Sequence, residues 1–367
     1  MTLRTSAPAS ITFIGTSFDY DRAVANVVSA LMGLLKVTGS IDPSQFWPEG
    51  ESDADTTKVL VQTGPNAFRF QPHPGAPFTA THVFEGAKVI GATTKAPLDS
   101  EGRITIRLQG IDAPELHYSP ARPGRAGGIT DEQRKKFKRY NKRYRQHLGE
   151  SATNALFSLL SGGSGPILCL VTTLVEHPND VFDTYGRFVG DIQVRIRGSS
   201  QNINIWLAEQ GWSFPAFYSS MTAAEINTFI AAAKKGRTNG HIWKNLHKKI
   251  SPFDPSLLYR RASAQPKPVA DVGPVNFPKL FRRQCTWWVY KRSDITTKNF
   301  RRYLACKPDP LFLTKDFLAN GVHSSTQRFF HEFLDANGNF SLRPEDMVFK
   351  EKPSTLVDAN GKRITSW

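Results

Sequence analysis

The spacing of hydrophobic positions changes along the chain and divides the sequence into four parts. Over residues 1–79, apolar side chains between positions 19 and 36 recur every three or four residues, which predicts a helix. A short apolar run at 11–14 precedes this helix, and a strand is predicted at 58–62 beyond a loop rich in proline, glycine and acidic residues. This pattern predicts an N-terminal α/β extension, and we find no chemical motif in it.

Residues 80–250 combine short strands with a few helices. The apolar runs predict strands at 82–90, 104–111, 167–174, 190–196 and 203–205. Helical spacing predicts helices at 132–160, 206–210 and 223–235. This mixture of strands and helices predicts a small α+β unit.

The last third of the chain begins with a segment rich in proline, alanine and serine. Residues 251–275 contain five prolines and are predicted to form a linker or extended arm. Residues 276–367 are basic and aromatic, and they are predicted to form a separate C-terminal domain. Two Asp-Ala-Asn-Gly turns occur here, at 335–338 and 358–361, and the second predicts a hairpin. The stretch 335–346 only partly resembles an EF-hand loop, so we expect a plain turn.

Charge suggests a polyanionic partner. The 367 residues include 47 Lys and Arg against 32 Asp and Glu, which gives a net charge of +15. A surplus of this size favours nucleic acid or an anionic membrane surface as a partner. The net charge is −2 over residues 1–79, +9 over 80–250 and +8 over 251–367. The N-terminal extension is therefore not the part that we expect to bind a polyanion.

Several classes of protein are not supported by the sequence. No apolar stretch approaches the roughly 20 residues of a membrane-spanning helix. The first 17 residues contain one arginine and no long apolar block, so no signal peptide is predicted, and we expect a cytoplasmic protein without membrane partners. The three cysteines are far apart, so neither a disulfide framework nor a zinc cluster is expected.

One segment carries a candidate catalytic pattern. A predicted strand runs into a tight turn at 104–115, with the sequence ITIRLQGIDAPE. It places Arg107, Asp112 and Glu115 within nine residues. A carboxylate for a metal, a second carboxylate as a base and an arginine for phosphate oxygens are the parts of a phosphodiester hydrolase. On its own, the pattern is better explained by a strand that ends in a charged surface turn.

Further motifs follow in an order that strengthens the catalytic interpretation. Residues 183–187 read DTYGR, 204–212 read NIWLAEQGW, and AAAKK at 231–235 is followed by Ile242 and Trp243. Together with the first segment, this set resembles the staphylococcal nuclease family over residues 80–247. The resemblance implies a five-stranded OB-fold barrel with packed helices, and calcium-dependent cleavage of DNA and RNA. The nucleic acid would be the partner of this domain.

The resemblance also implies roles for individual residues. Glu115 would be the general base for the attacking water, and Arg107 and Arg187 would stabilise the phosphate in the transition state. Asp112 and the backbone carbonyl of Ala113 would bind the metal. Tyr185 would lie beside the substrate, although packing next to the glycine turn explains it equally well.

One position departs from the family pattern. The family has a second metal-binding aspartate in a D-G-D-T turn, and the best match is at 84–89, where Ala87 replaces the aspartate and Lys88 follows it. Glu85 or Asp99 could substitute, Lys88 could supply part of the charge of the metal, or the domain could bind nucleic acid with poor cleavage. We expect activity to be retained. Calcium is the expected cofactor, with manganese or magnesium as alternatives and the requirement itself left open.

Two basic surfaces complete the prediction. Residues 134–145 contain eight basic residues in twelve, and we expect them to contact phosphates. The candidate substrate-binding residues of this run are Arg134, Lys135, Lys136, Lys138, Arg139, Lys142 and Arg143. The stretch 281–303 interleaves basic and aromatic residues, which suits either an accessory nucleic-acid surface or a small core.

Two functions follow from these motifs. The first is a metal-dependent nuclease acting on DNA, RNA or both. The second is a non-catalytic or weakly catalytic nucleic-acid-binding module on an OB-fold barrel. An acidic oxygen within metal-ligand distance of Asp112 would favour the nuclease.

Overall fold

The computed structural model describes residues 32–124, 128–161, 165–247, 255–259, 272–337, 339–352 and 354–367. The strands in the first two thirds of the chain are β1 Gly33–Ile41, β2 Thr56–Val61, β3 Phe68–Gln71, β4 Thr79–Ala80, β5 Lys88–Ile90, β6 Thr94–Lys95, β7 Arg103–Leu108, β8 Ile111–Asp112, β9 Arg145–Gln146, β10 Ile167–Val175, β11 Phe188–Ile196 and β12 Ser199–Asn202. The remaining strands are β13 Phe214–Pro215, β14 Phe217–Tyr218, β15 Leu258–Tyr259, β16 Pro310–Leu313, β17 Arg328–Phe329, β18 Met347–Phe349 and β19 Thr355–Val357. The helices are α1 Asp131–Tyr140, α2 Gly149–Leu160, α3 Ile203–Gln210, α4 Ala223–Asn239, α5 Pro278–Arg292, α6 Phe300–Ala305 and α7 Thr314–Ser324.

Five strands close into a mixed barrel, as the OB-fold prediction requires. The closed path runs β1, β2, β7, β11, β10 and back to β1. β1 and β10 form a nine-residue antiparallel ladder, whereas β7 and β11 are parallel. Apolar side chains fill the interior, because alternate residues of each strand point inward. Examples are Val37, Val59 and Ile106, each with no exposed surface.

The barrel begins earlier than the sequence predicted. β1, β2 and β3 belong to residues 1–79, yet β1 and β2 are barrel strands, so the sheet crosses the predicted boundary between residues 79 and 80. Residues 33–36 of the predicted helix are extended, which corrects that part of the prediction. Leu35, Val37 and Ile41 are buried with half-buried residues between them, a strand period rather than a helical one. The rest of that helix and the run at 11–14 lie outside the described residues.

One strand prediction and one helix prediction need correction. The segment 203–205 begins helix α3 instead of forming a strand, because the Asn202 side chain accepts a hydrogen bond from the Ile205 N–H and caps the helix. The long helix predicted at 132–160 is two helices, α1 and α2. Between them, β9 pairs with β15, and Leu148 adopts a left-handed backbone with φ of 63°. Such a residue interrupts a helix.

The C-terminal region packs directly against the barrel domain. Strand β14 of the central segment joins β16, β17 and β18 in one sheet. Helix α5 buries Leu280, Phe281 and Cys285 completely, in a cluster that also contains Phe214 and Ile242 of the central segment. Each large side chain buried in this way contributes roughly 1.5–3 kcal/mol. These contacts hold α5 against the barrel domain. For the residues of this helix, they favour a buried core rather than an exposed surface on which bases could stack.

The linker predicted at 251–275 falls largely outside the described residues. The structure describes 255–259 and 272–275 of it, and β15 lies in the first of these pieces. Among the described helices, none combines the length and the apolar character that a membrane crossing requires. Cys169 and Cys285 are buried free thiols, and Cys306 is an exposed one.

Candidate active site

The pairing of β2 with β7 brings an aspartate next to the predicted arginine. Thr56 at the start of β2 lies opposite Arg107 on β7, so Asp55 stands beside the end of β7. The chain then turns through Gly110, with φ of 76°, into β8, which ends on Asp112. Glu115 follows three residues later. The two connected turns therefore collect three carboxylates at one end of the barrel.

The Arg107 side chain bridges two of these carboxylates. Its Nη1 donates to Asp55 Oδ2 at 2.5 Å, and its Nη2 donates to Asp112 Oδ1 at 2.9 Å and to the Ile111 carbonyl at 3.0 Å. Burial alone would lower the pKa of the guanidinium, but Asp55 and Asp112 outweigh it and raise the pKa above its ordinary value. Arg107 is therefore a permanent cation that is 9% exposed and holds the site together.

Asp55 also joins the two turns through the backbone. Its Oδ2 accepts a hydrogen bond from the Ala113 N–H at 2.9 Å, and its Oδ1 accepts one from the Thr56 hydroxyl at 3.1 Å. The carboxylate thus fixes the position of the turn that carries Asp112 and Ala113. The structure places Ala113 at the site, and the role of its carbonyl stays a prediction.

Besides the predicted Arg107 and Arg187, a third arginine reaches the site, and it comes from the C-terminal region. Arg282, on helix α5, donates from Nη2 to Asp112 Oδ2 at 3.1 Å and from Nη1 to Asp112 Oδ1 at 3.4 Å. The same Nη1 donates to Glu115 Oε1. A planar guanidinium suits such a fork because its donors match the spacing of carboxylate oxygens. Arg282 therefore binds the predicted metal ligand and the predicted base at once.

The buried charged groups shift one another's pKa values. Burial raises the pKa of Glu115 above its usual range, although the ion pair with Arg282 opposes the shift. Burial acts in the same direction on Asp112, but Arg282 and Arg107 together lower the pKa of that carboxyl below its ordinary value. Burial, and then the neighbouring Glu115 and Asp55, raise the pKa of Asp53 well above the usual range, although Arg187 and Arg107 oppose the shift. Among Asp53, Asp112 and Glu115, Asp112 is therefore the one whose pKa lies below its ordinary value.

The second motif supplies Arg187 and Tyr185 to the same end of the barrel. Asp183 Oδ1 accepts hydrogen bonds from the Tyr185 and Arg187 N–H groups, each at 2.9 Å, and Gly186 turns the chain with φ of 73°. Arg187 donates to Asp183 Oδ2 through Nε at 2.8 Å and to Thr56 Oγ1 through Nη1 at 3.2 Å. The contact with Thr56 places Arg187 next to Asp55. Tyr185 is 59% exposed, with the Arg187 guanidinium 5.7 Å from its ring.

The structure brings Asp55, rather than a residue near Ala87, beside Arg107 and Asp112. Ala87 is buried after a turn, and Lys88 is an exposed residue of β5. Glu85 pairs with His82, and Asp99 pairs with Lys58 and Arg103, so neither carboxylate binds the residues around Asp112. The acidic side chain that shares Arg107 with Asp112 is Asp55, in the sequence Asp53-Ala54-Asp55-Thr56. This D-x-D-T pattern is visible in the sequence, but it lies before residue 80, where the family resemblance begins.

The carboxylates can be tested against the expected metal. A divalent cation takes several oxygen ligands, and at this site Asp55, Asp112 and Glu115 are the carboxylates that would have to supply them. Their oxygens accept hydrogen bonds from Arg107 and Arg282 instead. Within the described part of the chain, no group of three or more Asp, Glu, His or Cys side chains is arranged so that it could hold a metal ion. The arrangement does not fit calcium, and a requirement for calcium, manganese or magnesium stays untested.

The basic run lies on α1 and the loop after it, beside helix α5. The Phe137 and Tyr290 rings pack at 6.1 Å, and Tyr290 is eight residues from Arg282 on α5, roughly 12 Å along the helix. Part of the run is engaged in ion pairs: Lys136 with Asp294, Arg134 with Asp131 and Arg143 with Glu51. The exposed residues without an ion pair among the described residues are Lys135, Lys138, Arg139 and Lys142. Phosphate binding by the run stays a prediction.

Comparison with known families agrees with the motifs. The family model described as Staphylococcal nuclease homologue matches residues 105–245. This range contains Arg107, Asp112, Glu115 and Arg187, whereas Asp55 and Arg282 lie outside it. A search of curated proteins gives no match to the chain.

Proposed function

Because residues 105–245 form a domain of the staphylococcal nuclease homologue family, we propose that the chain is a nuclease that hydrolyses phosphodiester bonds of DNA, RNA or both. The observation that carries the proposal is the convergence of Glu115, Arg107 and Arg187 at one end of the barrel. A base and fixed cations within one cluster are what the hydrolysis of a phosphodiester needs.

Glu115 is the proposed general base. Its carboxylate would take a proton from a water molecule while the water oxygen attacks phosphorus and the bond to the leaving sugar oxygen breaks. The products are a phosphate monoester and a sugar hydroxyl. Burial raises the pKa of Glu115, which makes the carboxylate a stronger base than an exposed one. Because Oε1 of Glu115 accepts the hydrogen bond from Arg282, the other carboxylate oxygen is the proposed proton acceptor.

The arginines divide the remaining work. Arg187 is 27% exposed in its side chain and faces solvent, so it is the proposed direct contact to the phosphate. Arg107 is buried and already engaged with Asp55 and Asp112, so its proposed role is to fix the site and add positive charge behind the phosphate. The exposed Tyr185 ring beside Arg187 suits stacking on a base or sugar.

A second candidate function has its own observation. Arg282 hydrogen-bonds the proposed base, and this contact favours a module that binds nucleic acid without cutting it. In that case, the exposed cations of the basic run would supply the phosphate contacts, and the affinity would fall steeply with salt. The two candidates predict the same binding but opposite results for cleavage.

One experiment separates them. Purified full-length protein is incubated with labelled single- and double-stranded DNA and RNA, in parallel with Ca²⁺, Mn²⁺, Mg²⁺ or EDTA, and binding is measured on the same substrates. Cleavage that disappears in Glu115→Gln, with binding unchanged, supports the nuclease. Salt-sensitive binding with intact substrate under every condition supports the binding module.

A further inference from the structure

We infer that Arg282 takes the place of a divalent metal ion at this site, so that the site binds its phosphodiester without a metal. The inference rests on the proposed function for its substrate but on the structure for its geometry. Both carboxylate oxygens of Asp112 and Oε1 of Glu115 accept hydrogen bonds from the Arg282 guanidinium. These are the oxygens that a bound cation would otherwise use.

The charge balance supports a replacement of one cation by another. Asp55, Asp112 and Glu115 carry three negative charges when ionised. Asp53, which interacts electrostatically with Glu115 and Asp55, adds a fourth when it is ionised. Arg107 neutralises one charge and leaves an excess of two or three, which calls for further positive charge. Arg282 lowers that excess by one. A buried carboxylate without a partner is costly, so the guanidinium meets a need that a metal would also meet.

Arg282 is held in place by the packing of its helix. Leu280 and Phe281, directly before it, are 0% and 1% exposed, and Cys285 on the next turn is 0% exposed. Thr286 O–H donates to the Arg282 carbonyl at 2.9 Å, and its Oγ1 lies 2.5 Å from the Tyr118 hydroxyl, near the catalytic turn. Withdrawal of Arg282 by movement of α5 would expose this cluster to water. The arginine is therefore a resident part of the site rather than a mobile lid.

The neighbouring arginine shows that the contact is specific. Arg283 points elsewhere and forms a two-pronged ion pair with Asp309, at 2.7 Å from Nε and 2.6 Å from Nη2. Both arginines lie on the same helix, carry the same charge and form an ion pair with a carboxylate, but of the two only Arg282 reaches Asp112 and Glu115. Arg283 is the matched control for any effect of removing a paired arginine from α5.

The test measures metal binding by the full chain with isothermal titration calorimetry, using CaCl₂ and MnCl₂ as the only ligands. Wild type and Arg283→Met are expected to show no binding that depends on Asp112. Arg282→Met frees the oxygens of Asp112 and Glu115, and it is expected to bind Ca²⁺ or Mn²⁺ at least about tenfold more tightly than wild type. Asp112→Asn in the Arg282→Met background should remove the new binding.

Wild type alone also decides the inference, in case Arg282→Met does not fold. Binding of Ca²⁺ or Mn²⁺ by wild type, lost in Asp112→Asn, would overturn it. A folded Arg282→Met protein that gains no metal binding would overturn it as well. Circular dichroism establishes that each variant is folded.

The cleavage assay keeps this inference separate from the proposed function. Cleavage in EDTA by a wild type that binds no metal supports both. A wild type that neither binds metal nor cuts any substrate supports the inference and contradicts the nuclease proposal. Cleavage that strictly requires added metal contradicts the inference and supports the nuclease.

Discussion

The Arg282 guanidinium donates hydrogen bonds to both carboxylate oxygens of Asp112, at 3.4 Å to Oδ1 and 3.1 Å to Oδ2. The two residues lie in different parts of the chain, one on α5 and the other on β8. The C-terminal region therefore contributes a side chain to the centre of the nuclease-family domain. Any account of the site that stops at residue 245 omits one of its cations.

Removal of Arg282 should weaken the fold. In Arg282→Ala, Asp112 keeps only Arg107, and Glu115 is left buried without its ion pair. We expect a loss of about 3 kcal/mol in the free energy of unfolding, because breaking a buried pair leaves a charge uncompensated. Urea denaturation of the variant and wild type measures it. A loss below about 1 kcal/mol, as for a surface ion pair, would contradict the buried placement.

Glu115→Gln should separate cleavage from binding. The amide preserves the size of the side chain but cannot accept a proton, so we expect cleavage to fall by roughly 10²–10⁴-fold. The dissociation constant for the same oligonucleotide should change little, since Glu115 is not proposed to contact the phosphate. Gel-based cleavage and fluorescence anisotropy measure the two quantities. Equal losses in cleavage and binding would show that Glu115 acts on substrate binding instead.

The sequence contained much of the site but not all of it. Arg107, Asp112 and Glu115 lie on one strand and the turn after it, so their spacing, together with the motifs that follow along the chain, indicated the chemistry. Asp55 also lies in a D-x-D-T pattern before a predicted strand, but this pattern precedes residue 80, where the family resemblance begins. Arg282 had no such signal, since its partner Glu115 is 167 residues away and only tertiary packing joins them.

For the fold as well, elements set by their own local sequence were predicted, whereas elements set by pairing with distant residues were not. The apolar runs at 167–174 and 190–196 predicted β10 and β11, which run from 167 to 175 and from 188 to 196. The residues of β1 carry an apolar run that fits a helix locally. Their extended state comes from the ladder with β10, and a single sequence does not show that pairing.

Asp191 should make stability depend on pH. It is 6% exposed and accepts a hydrogen bond from Asn204 Nδ2 at 2.7 Å, and burial raises its pKa from 3.8 to about 8. Because the folded state prefers the protonated acid, its stabilising effect is complete below about pH 4 and is lost as the pH rises toward about 8. Asp191→Asn should be less sensitive to pH across that window, as measured by thermal melts.

Asp99 provides a control with the opposite sign. Burial would raise the pKa of Asp99, but hydrogen bonds from Arg103 and Lys58 lower it to about 2. Its contribution to stability is present above about pH 4 and is lost as the pH falls toward 2. Asp99→Asn should therefore leave the pH dependence between 4 and 8 unchanged. A change in that window for Asp99→Asn, or none for Asp191→Asn, would contradict the assignment.

The exposed cations of the basic run should set the salt dependence of nucleic-acid binding. Lys138 and Arg139 on α1 are exposed, and each phosphate contact adds about 0.9 to the slope of log affinity against log salt for double-stranded DNA. Lys138→Ala combined with Arg139→Ala should therefore reduce the slope by about 1–2 and weaken binding to all sequences alike. Fluorescence anisotropy over a NaCl series measures the slope. The charge-matched control removes Lys234 and Lys315, exposed on α4 and α7, and should leave the slope unchanged. Equal reductions in the two double variants would mean that net charge, rather than a surface beside α5, attracts the nucleic acid.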